Sequence, residues 1–353
     1  MTFSFDWSLA DGYPKDKHGL KVFSTFACGG GSTMGYKLAG YDVLGCNEID
    51  KDMMKLYVEN HKPRFSFLED IRSFIERDDL PAELYDLDIL DGSPPCSSFS
   101  FSGKREKHWG LEKQFREGQV EQRLDDLFFD FLKLVAKLKP KVVVAENVVG
   151  LIQGKAKGYV KEIVAEFRRL GYDVQLFHLN AAEMGVPQKR QRVFFIANRC
   201  EFQPLTLTFN EAPIVFGQIC TGPTPGDRTL TPYDLECIDM MRPDDKGFDD
   251  VYIRKIGKHW RRFNCAFIDK NQPLLTICAS GGSKLVVRDE RRHVSNLEMI
   301  RAQTFPHDYN FLDQQIQYVL GMSVPPVMLA QIARQIYMQW FATKVVRNEK
   351  ARS

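Results

Sequence analysis

Three residue types able to do covalent and acid–base chemistry stand where short apolar runs end. Cys96 closes Ser93-Pro94-Pro95-Cys96, Glu146 follows Lys141-Val142-Val143-Val144-Ala145, and Arg190 and Arg192 precede a run from Val193 to Ala197. A thiol near cations carries more thiolate and is then a good nucleophile. A carboxyl in a dry pocket keeps its proton and can act as an acid. Each residue also has a plain structural reading. Cys96 could be a small buried hydrophobe, Glu146 a helix-entry residue, and the arginines a surface basic run.

The elements that would position these groups read as an open α/β sheet. Leu87-Asp88-Ile89-Leu90 has the look of a buried strand. The paired prolines after it fix the backbone and remove two amide donors, so Cys96 is delivered in a set direction. In such sheets ligands bind outside the carboxyl ends of the strands. Upstream, Lys21 to Ala27 predicts a strand, Cys28-Gly29-Gly30-Gly31-Ser32 a tight turn, and Thr33 to Leu38 a helix. A second strand, Tyr41 to Cys46, closes on Asn47-Glu48, about 20 positions past the glycines, where an acid can accept both hydroxyls of a ribose. A tight turn beside a surface Glu is the alternative. No Walker lysine follows the glycines, and the dinucleotide pattern Gly-x-Gly-x-x-Gly is missing. A ligand with ribose and adenine but no phosphate fits best, S-adenosylmethionine being the common one. Asp50 to Asn60 predicts a helix and Arg64 to Leu68 a third strand, ended by Glu69-Asp70-Ile71. Asp70 could accept from an adenine amino group with Ile71 against the ring, or cap the next helix, or do both.

Val120 to Lys139 carries apolar residues at helical spacing and predicts a long helix ending before Pro140. Gly103 to Gly110 is a basic, glycine-flanked loop with Trp109, suited to face phosphate or else simply solvated. From Arg199 to about Leu275 the strand–helix alternation is lost, and Pro and Gly are frequent. Asp227 to Asp250 is acid-rich, whereas Arg254 to Arg262 is basic and includes Trp260. A net charge of +2 conceals this segregation, which suggests a nucleic-acid-facing surface or else a solvated loop. Ser295 with Glu298 forms a capping box, and Val327 to Phe341 predicts a further helix. With 353 residues and 44% apolar content the chain can bury a sizeable core. The eight cysteines are scattered without Cys-x-x-Cys, so neither a zinc site nor a disulfide framework is expected. Met1 to Leu20 lacks the apolar core of a signal peptide, and no apolar run approaches the roughly 20 residues of a membrane helix. A soluble cytoplasmic protein without metal is expected.

The order of these motifs resembles the cytosine-5 DNA methyltransferases. Phe26-Ala27-Cys28-Gly29-Gly30-Gly31 is similar to that family's cofactor loop, and Asn47-Glu48 and Asp70-Ile71 to its next cofactor contacts. Ser93-Pro94-Pro95-Cys96 resembles the nucleophile motif, Glu146-Asn147-Val148 the acid motif, and Gln188 to Val193 the basic motif. Arg301 to Pro306 and Gly321 to Pro325 resemble the closing motifs. The resemblance spans about Val22 to Trp340. Departures are Cys28 for a glycine, Ile49 for an aromatic, Ser97 for Gln, Leu297 for Arg and Met322 for Asn.

The resemblance implies a Rossmann-like methyltransferase sheet, mostly parallel with one antiparallel strand, beside a smaller target-recognition domain. The implied division is an extension over 1–19, a catalytic and cofactor-binding domain over 20–198, recognition over 199–290, returning helices over 291–345 and a tail over 346–353. It implies Cys96, Glu146, Arg190 and Arg192 as catalytic. S-adenosylmethionine would lie against Phe26, Ala27, Cys28, Gly30, Gly31, Glu48, Ile49, Asp70, Ile71, Pro95, Leu127, Ser323 and Val324. Double-stranded DNA would meet Ser98, Lys104, Arg105, Gln188, Lys258, Arg261, Arg262 and Thr276. The implied reaction is methylation of carbon 5 of a flipped-out cytosine through a Cys96 adduct, in a bacterial or phage restriction-modification setting with a separate cognate endonuclease. Alternatives are a tRNA cytosine-5 methyltransferase and a catalytically silent DNA-binding regulator.

Overall fold

The computed structural model describes residues 3–95, 112–113, 122–123, 127–153, 157–257, 265–280 and 284–342. The chain divides into two compact units. One comprises Tyr13–Asn180, Gln191–Phe209 and Met328–Ser353; the other comprises Met1–Gly12, Ala181–Arg190 and Asn210–Val327.

The larger unit is built on seven strands: β1 Lys21–Thr25, β2 Asp42–Glu48, β3 Phe65–Leu68, β4 Ile89–Gly92, β5 Val142–Val148, β6 Asp173–Asn180 and β7 Gln191–Asn198. Their order across the sheet is β3-β2-β1-β4-β5-β7-β6. Only β7 runs antiparallel to its neighbours. The chain winds outward from β1 to β3, then crosses back to β4, so the switch of direction falls between β1 and β4, where such sheets bind ligands. Because β7 is reversed, its first residues lie at the same edge as the last residues of β5, with Arg192 opposite Val148.

Helices cover both faces of this sheet. Phe23, Leu90, Val143, Ala145 and Phe195 form one core with α4 (Leu127–Leu138) and α5 (Lys157–Arg169), whose apolar residues recur at helical spacing. On the other face lie α1 (Gly31–Leu38) and α2 (Lys51–His61). Asp50 caps α2 by accepting from the amides of Asp52 and Met53. A short α3 (Ile71–Glu76) is capped by Asp70. The long helix expected over Val120–Lys139 is shorter: Gln122–Arg123 pairs with Glu112–Lys113 as an antiparallel strand, and the described helix spans Leu127–Leu138.

The smaller unit holds a three-stranded sheet of β8 Cys265–Ile268, β9 Lys284–Val287 and β10 Arg292–His293. Two helices, α6 Pro232–Asp239 and α7 Phe248–Ile256, pack on it through Cys237, Ile238, Phe248, Val251 and Val286. Neither helix was expected from the sequence. Pro232 is read there as a loop residue, but it sits at the first helical turn, where a missing N–H costs nothing, behind the Thr231–Asp234 capping box. Ser295 caps α8 (Asn296–Ala302) in the expected box with Glu298. The stretch Ile316–Phe341 could pass for a membrane span by length and composition alone, but most of it is buried in the protein, as in a core helix.

Candidate active site at the carboxyl edge of the sheet

One edge of the larger unit gathers most of the residues expected to act. At the end of β1 the turn takes three left-handed residues in a row of five: Phe26 at φ 54°, Cys28 at φ 47° and Gly30 at φ 74°. Non-glycine residues rarely adopt this region, and such strain concentrates at functional sites. Cys28 therefore takes a conformation that favours glycine, at some conformational cost, and its amide donates to Glu48 Oε2 at 2.8 Å. The other oxygen of Glu48 accepts from Asp50 N at 2.9 Å. Burial raises the Glu48 pKa, and the amides of Asp50, Cys28 and Ile49 oppose that rise. A carboxylate has about four acceptor positions, so with three amides directed at it about one remains for a ribose hydroxyl. Asp70 behaves similarly: Oδ1 caps Arg72 N at 2.7 Å while its side chain stays 26% exposed. Ile49, next to Glu48 in sequence, is half-buried, whereas Ile71 and Leu127 are buried. This pair of carboxylate acceptors beside apolar side chains fits an adenosine with no phosphate.

Beneath the turn stands His61, a residue absent from the sequence-based site. Its Nε2 lies 3.1 Å from Gly29 O and so carries the proton. Burial, then the Lys37 charge, push its pKa down to about 3, against the Gly29 bond. The unfolded imidazole titrates near 6.5. The stability that neutral His61 contributes is therefore present above pH 6.5 and is lost as pH falls toward 3. Urea melts should lose stability from this residue as pH falls below 6.5, the slope approaching about 1.4 kcal/mol per pH unit near pH 5, and His61→Gln should remove that share of the slope. An unchanged slope would show that His61 is not neutral in the fold.

Farther along the edge, β4 ends at Gly92 and leads to Pro94, whose carbonyl accepts from Asn147 Nδ2 at 3.1 Å. Pro95 is half-buried, and Cys96, Ser98, Lys104 and Arg105 lie outside the described residues. Glu146 Oε1 pairs with Arg192 Nε at 2.7 Å, the two side chains being 13% and 14% exposed. The diagonal placement follows from register, since Glu146 faces Phe194 and Arg192 faces Val148 across the antiparallel pair. A carboxyl and a guanidinium are thus held side by side at the strand ends, one residue before the Asn147 clamp on the cysteine loop.

In the smaller unit two expectations need correcting. Gln188 was expected to touch DNA, yet it is fully buried. Its amide donates to Gln303 Oε1 at 2.6 Å and Ala302 O at 3.2 Å, and accepts from Ile277 N at 3.0 Å. With both donor and acceptor ends engaged inside the unit, it serves packing. From sequence, Arg190 is, with Arg192, a candidate for the positive surrounding that raises the thiolate fraction of Cys96. Its guanidinium is buried and donates to the carbonyls of Ile277, Gly321 and Ser323, a clamp on the backbone of its own unit. Two positions apart on one continuous strand would share a face, but Arg190 falls in the break between the short strand Gln188–Lys189 and β7, so the alternation that carries Arg192 does not carry Arg190. Thr276 donates to Lys189 O at 2.6 Å and stays half-buried. Ser323 and Val324 are buried, Ser323 Oγ donating to Val319 O at 2.8 Å. Lys258, Arg261 and Arg262 lie outside the described residues.

With this geometry in place, residues 20–215 match the C-5 cytosine-specific DNA methylase family, and the chain belongs to that family. It is 38% identical over 180 residues to the Type II methyltransferase M.DdeI of Desulfomicrobium norvegicum, covering 50% of this chain and 40% of that protein. Across 90% of this chain it is 29% identical to the Type II methyltransferase M.NgoFVII of Neisseria gonorrhoeae, 86% of which is covered. The chain spans about half the length, or less, of the first curated relatives it matches. The fold is also that of a Spodoptera frugiperda DNMT2 mutant, with a TM-score of 0.63 at 14% identity over 90% of this chain and all of that one.

Proposed function

We propose that this chain is an S-adenosylmethionine-dependent methyltransferase acting on carbon 5 of cytosine in duplex DNA. The observation carrying the reading is the single edge on which the glycine turn, Glu48, Asp70, the Pro94–Pro95 lead to Cys96, and the Glu146–Arg192 pair all stand. Bound S-adenosylmethionine supplies an electrophilic methyl group. Glu48 and Asp70 would hold its ribose hydroxyls and adenine amino group. Cys96 adds to carbon 6 of an extruded cytosine, which makes carbon 5 nucleophilic. Glu146 contacts ring nitrogen 3 and the amino group and holds a proton there as charge develops. Arg192 keeps Glu146 aimed and takes the carbonyl oxygen of the base. Loss of the carbon 5 proton and elimination of the thiol complete the cycle. The recognition domain is the stretch 199–290, and a separate cognate restriction endonuclease is the partner class this reading brings with it.

The test is a duplex carrying 5-fluorocytosine at target cytosines, since fluorine cannot leave as the proton does. A denaturation-resistant adduct is expected, and Cys96→Ser protein should bind the duplex without forming it. An adduct in the Cys96→Ser protein would overturn the assignment of the nucleophile. Methyl transfer to tRNA but not to duplex DNA would overturn the substrate.

A further inference from the structure

Asp91 belongs to none of the groups above, yet it occupies the centre of the sheet at the switch point. Register places Cys46, Ser24, Asp91 and Val144 in one row across β2, β1, β4 and β5, on the face opposite Phe23, Leu90, Val143 and Ala145. Two residues farther toward the carboxyl edge on the same face stand Glu48 and Glu146. Asp91 is 3% exposed. Its Oδ2 accepts from Ser24 Oγ and its Oδ1 from Tyr36 Oη, each at 3.2 Å, and the Ser32 hydroxyl also reaches the carboxyl. Its own carbonyl accepts from Thr25 Oγ1 at 3.1 Å. One side chain therefore joins the start of α1, the end of β1 and the strand that leads to Cys96.

We propose that Asp91 is a positioning residue whose ionised carboxylate locks the glycine turn to the end of β4 and so tightens the cofactor site. The proposal rests on the functional reading above and names a residue that reading does not use. Its direction follows from the donor count. A carboxylate accepts from all three hydroxyls, and charge-assisted bonds are about twice as strong as neutral ones. A neutral acid must donate its own proton and reverse one of these bonds. Tyr36 stays a donor throughout, because burial raises its pKa well above the usual tyrosine value. Other titratable groups face Asp91 from α2 (Tyr57), from β2 (Cys46, kept protonated by burial) and from β5 (Glu146, paired with Arg192). Burial first, with a contribution from Glu146, raises the Asp91 pKa to about 7 against the hydroxyl bonds. The lock would then close over the neutral range.

Binding of S-adenosylmethionine to the full chain without DNA, titrated calorimetrically from pH 5.5 to 8.5, tests this. Affinity should rise about five- to ten-fold as pH climbs through 7. Asp91→Asn should be flat at the weak level, and Tyr36→Phe should move the inflection to higher pH by removing a donor. The ligand's α-amino group titrates at about 7.7–8.0, and the comparison with Asp91→Asn isolates the protein's own group. Equal profiles in wild type and Asp91→Asn, or affinity that falls with rising pH, would overturn the proposal. If Asp91→Asn does not fold, Tyr36→Phe and Ser24→Ala decide by whether they shift the inflection. Absence of binding at every pH would sink the functional reading itself.

Discussion

Glu146→Gln is expected to lower the rate of methyl transfer by about 10²–10⁴-fold, the range that a positioned acid contributes, with cofactor affinity nearly unchanged. The substitution conserves shape. It leaves a side chain that can still accept from Arg192 and donate a hydrogen bond to a ring nitrogen. What it removes is a transferable proton and the negative charge that partners the guanidinium. Two effects must be separated here. Breaking a fully buried ion pair costs about 3–5 kcal/mol, but both side chains keep 13–14% exposure, so water softens that cost. A purely structural role would show as a lowered melting temperature with turnover reduced only in proportion to folded protein. A chemical role would show as a slow single-turnover rate in a protein that melts normally. Arg192→Lys supplies the complementary result. It keeps the charge but loses the planar fork that aims the carboxyl, so it should be slower than wild type and faster than Glu146→Gln. A Glu146→Gln protein within ten-fold of wild type would remove Glu146 from the chemistry.

How far the sequence carried this site depends on whether a role is local. Strand, glycine turn and helix at the start of the chain are contiguous, and the acid that answers them sits one strand later, so Glu48 and Asp70 were legible. Glu146 and Arg192 were legible as strand-end residues, although only the antiparallel register of β7 brings them together. Gln188 and Arg190 were misread because their partners, Ile277, Gln303 and Ser323, lie 87 to 133 positions away. No local pattern reports such distant carbonyls. His61 and Asp91 were missed for a related reason. A histidine at the end of a helix and an aspartate inside an apolar strand look like ordinary boundary residues. Only packing against Gly29 and Tyr36 gives them work. Helices α6 and α7 were hidden by the prolines and glycines around them, since a proline that starts a helix reads like one that breaks a loop.

Gly30→Ala carries the second large effect. At φ 74° an added Cβ would lie 2.1 Å from His61 Nε2 and 2.5 Å from its Cδ2. The imidazole has little room to retreat, being 6% exposed and edge-on to Tyr57 at 4.6 Å, with Lys37 Nζ bound to the His61 carbonyl at 3.0 Å. The left-handed backbone costs a non-glycine residue about 1–2 kcal/mol, and overpacking adds about 1–3 kcal/mol. A loss of roughly 2–5 kcal/mol in urea stability is expected from these two terms together, with cofactor affinity down at least ten-fold because the displaced turn carries the Cys28 amide away from Glu48. The clash and the backbone strain can be told apart by a double-mutant cycle with His61→Ala. Truncating the imidazole opens the space but leaves φ as it was. The double variant should therefore be less destabilised than the sum of the singles, by about 1–3 kcal/mol, while part of the Gly30→Ala loss persists. Strict additivity would mean that the histidine does not set the size limit beneath the turn, and that Gly30 is required for its backbone alone.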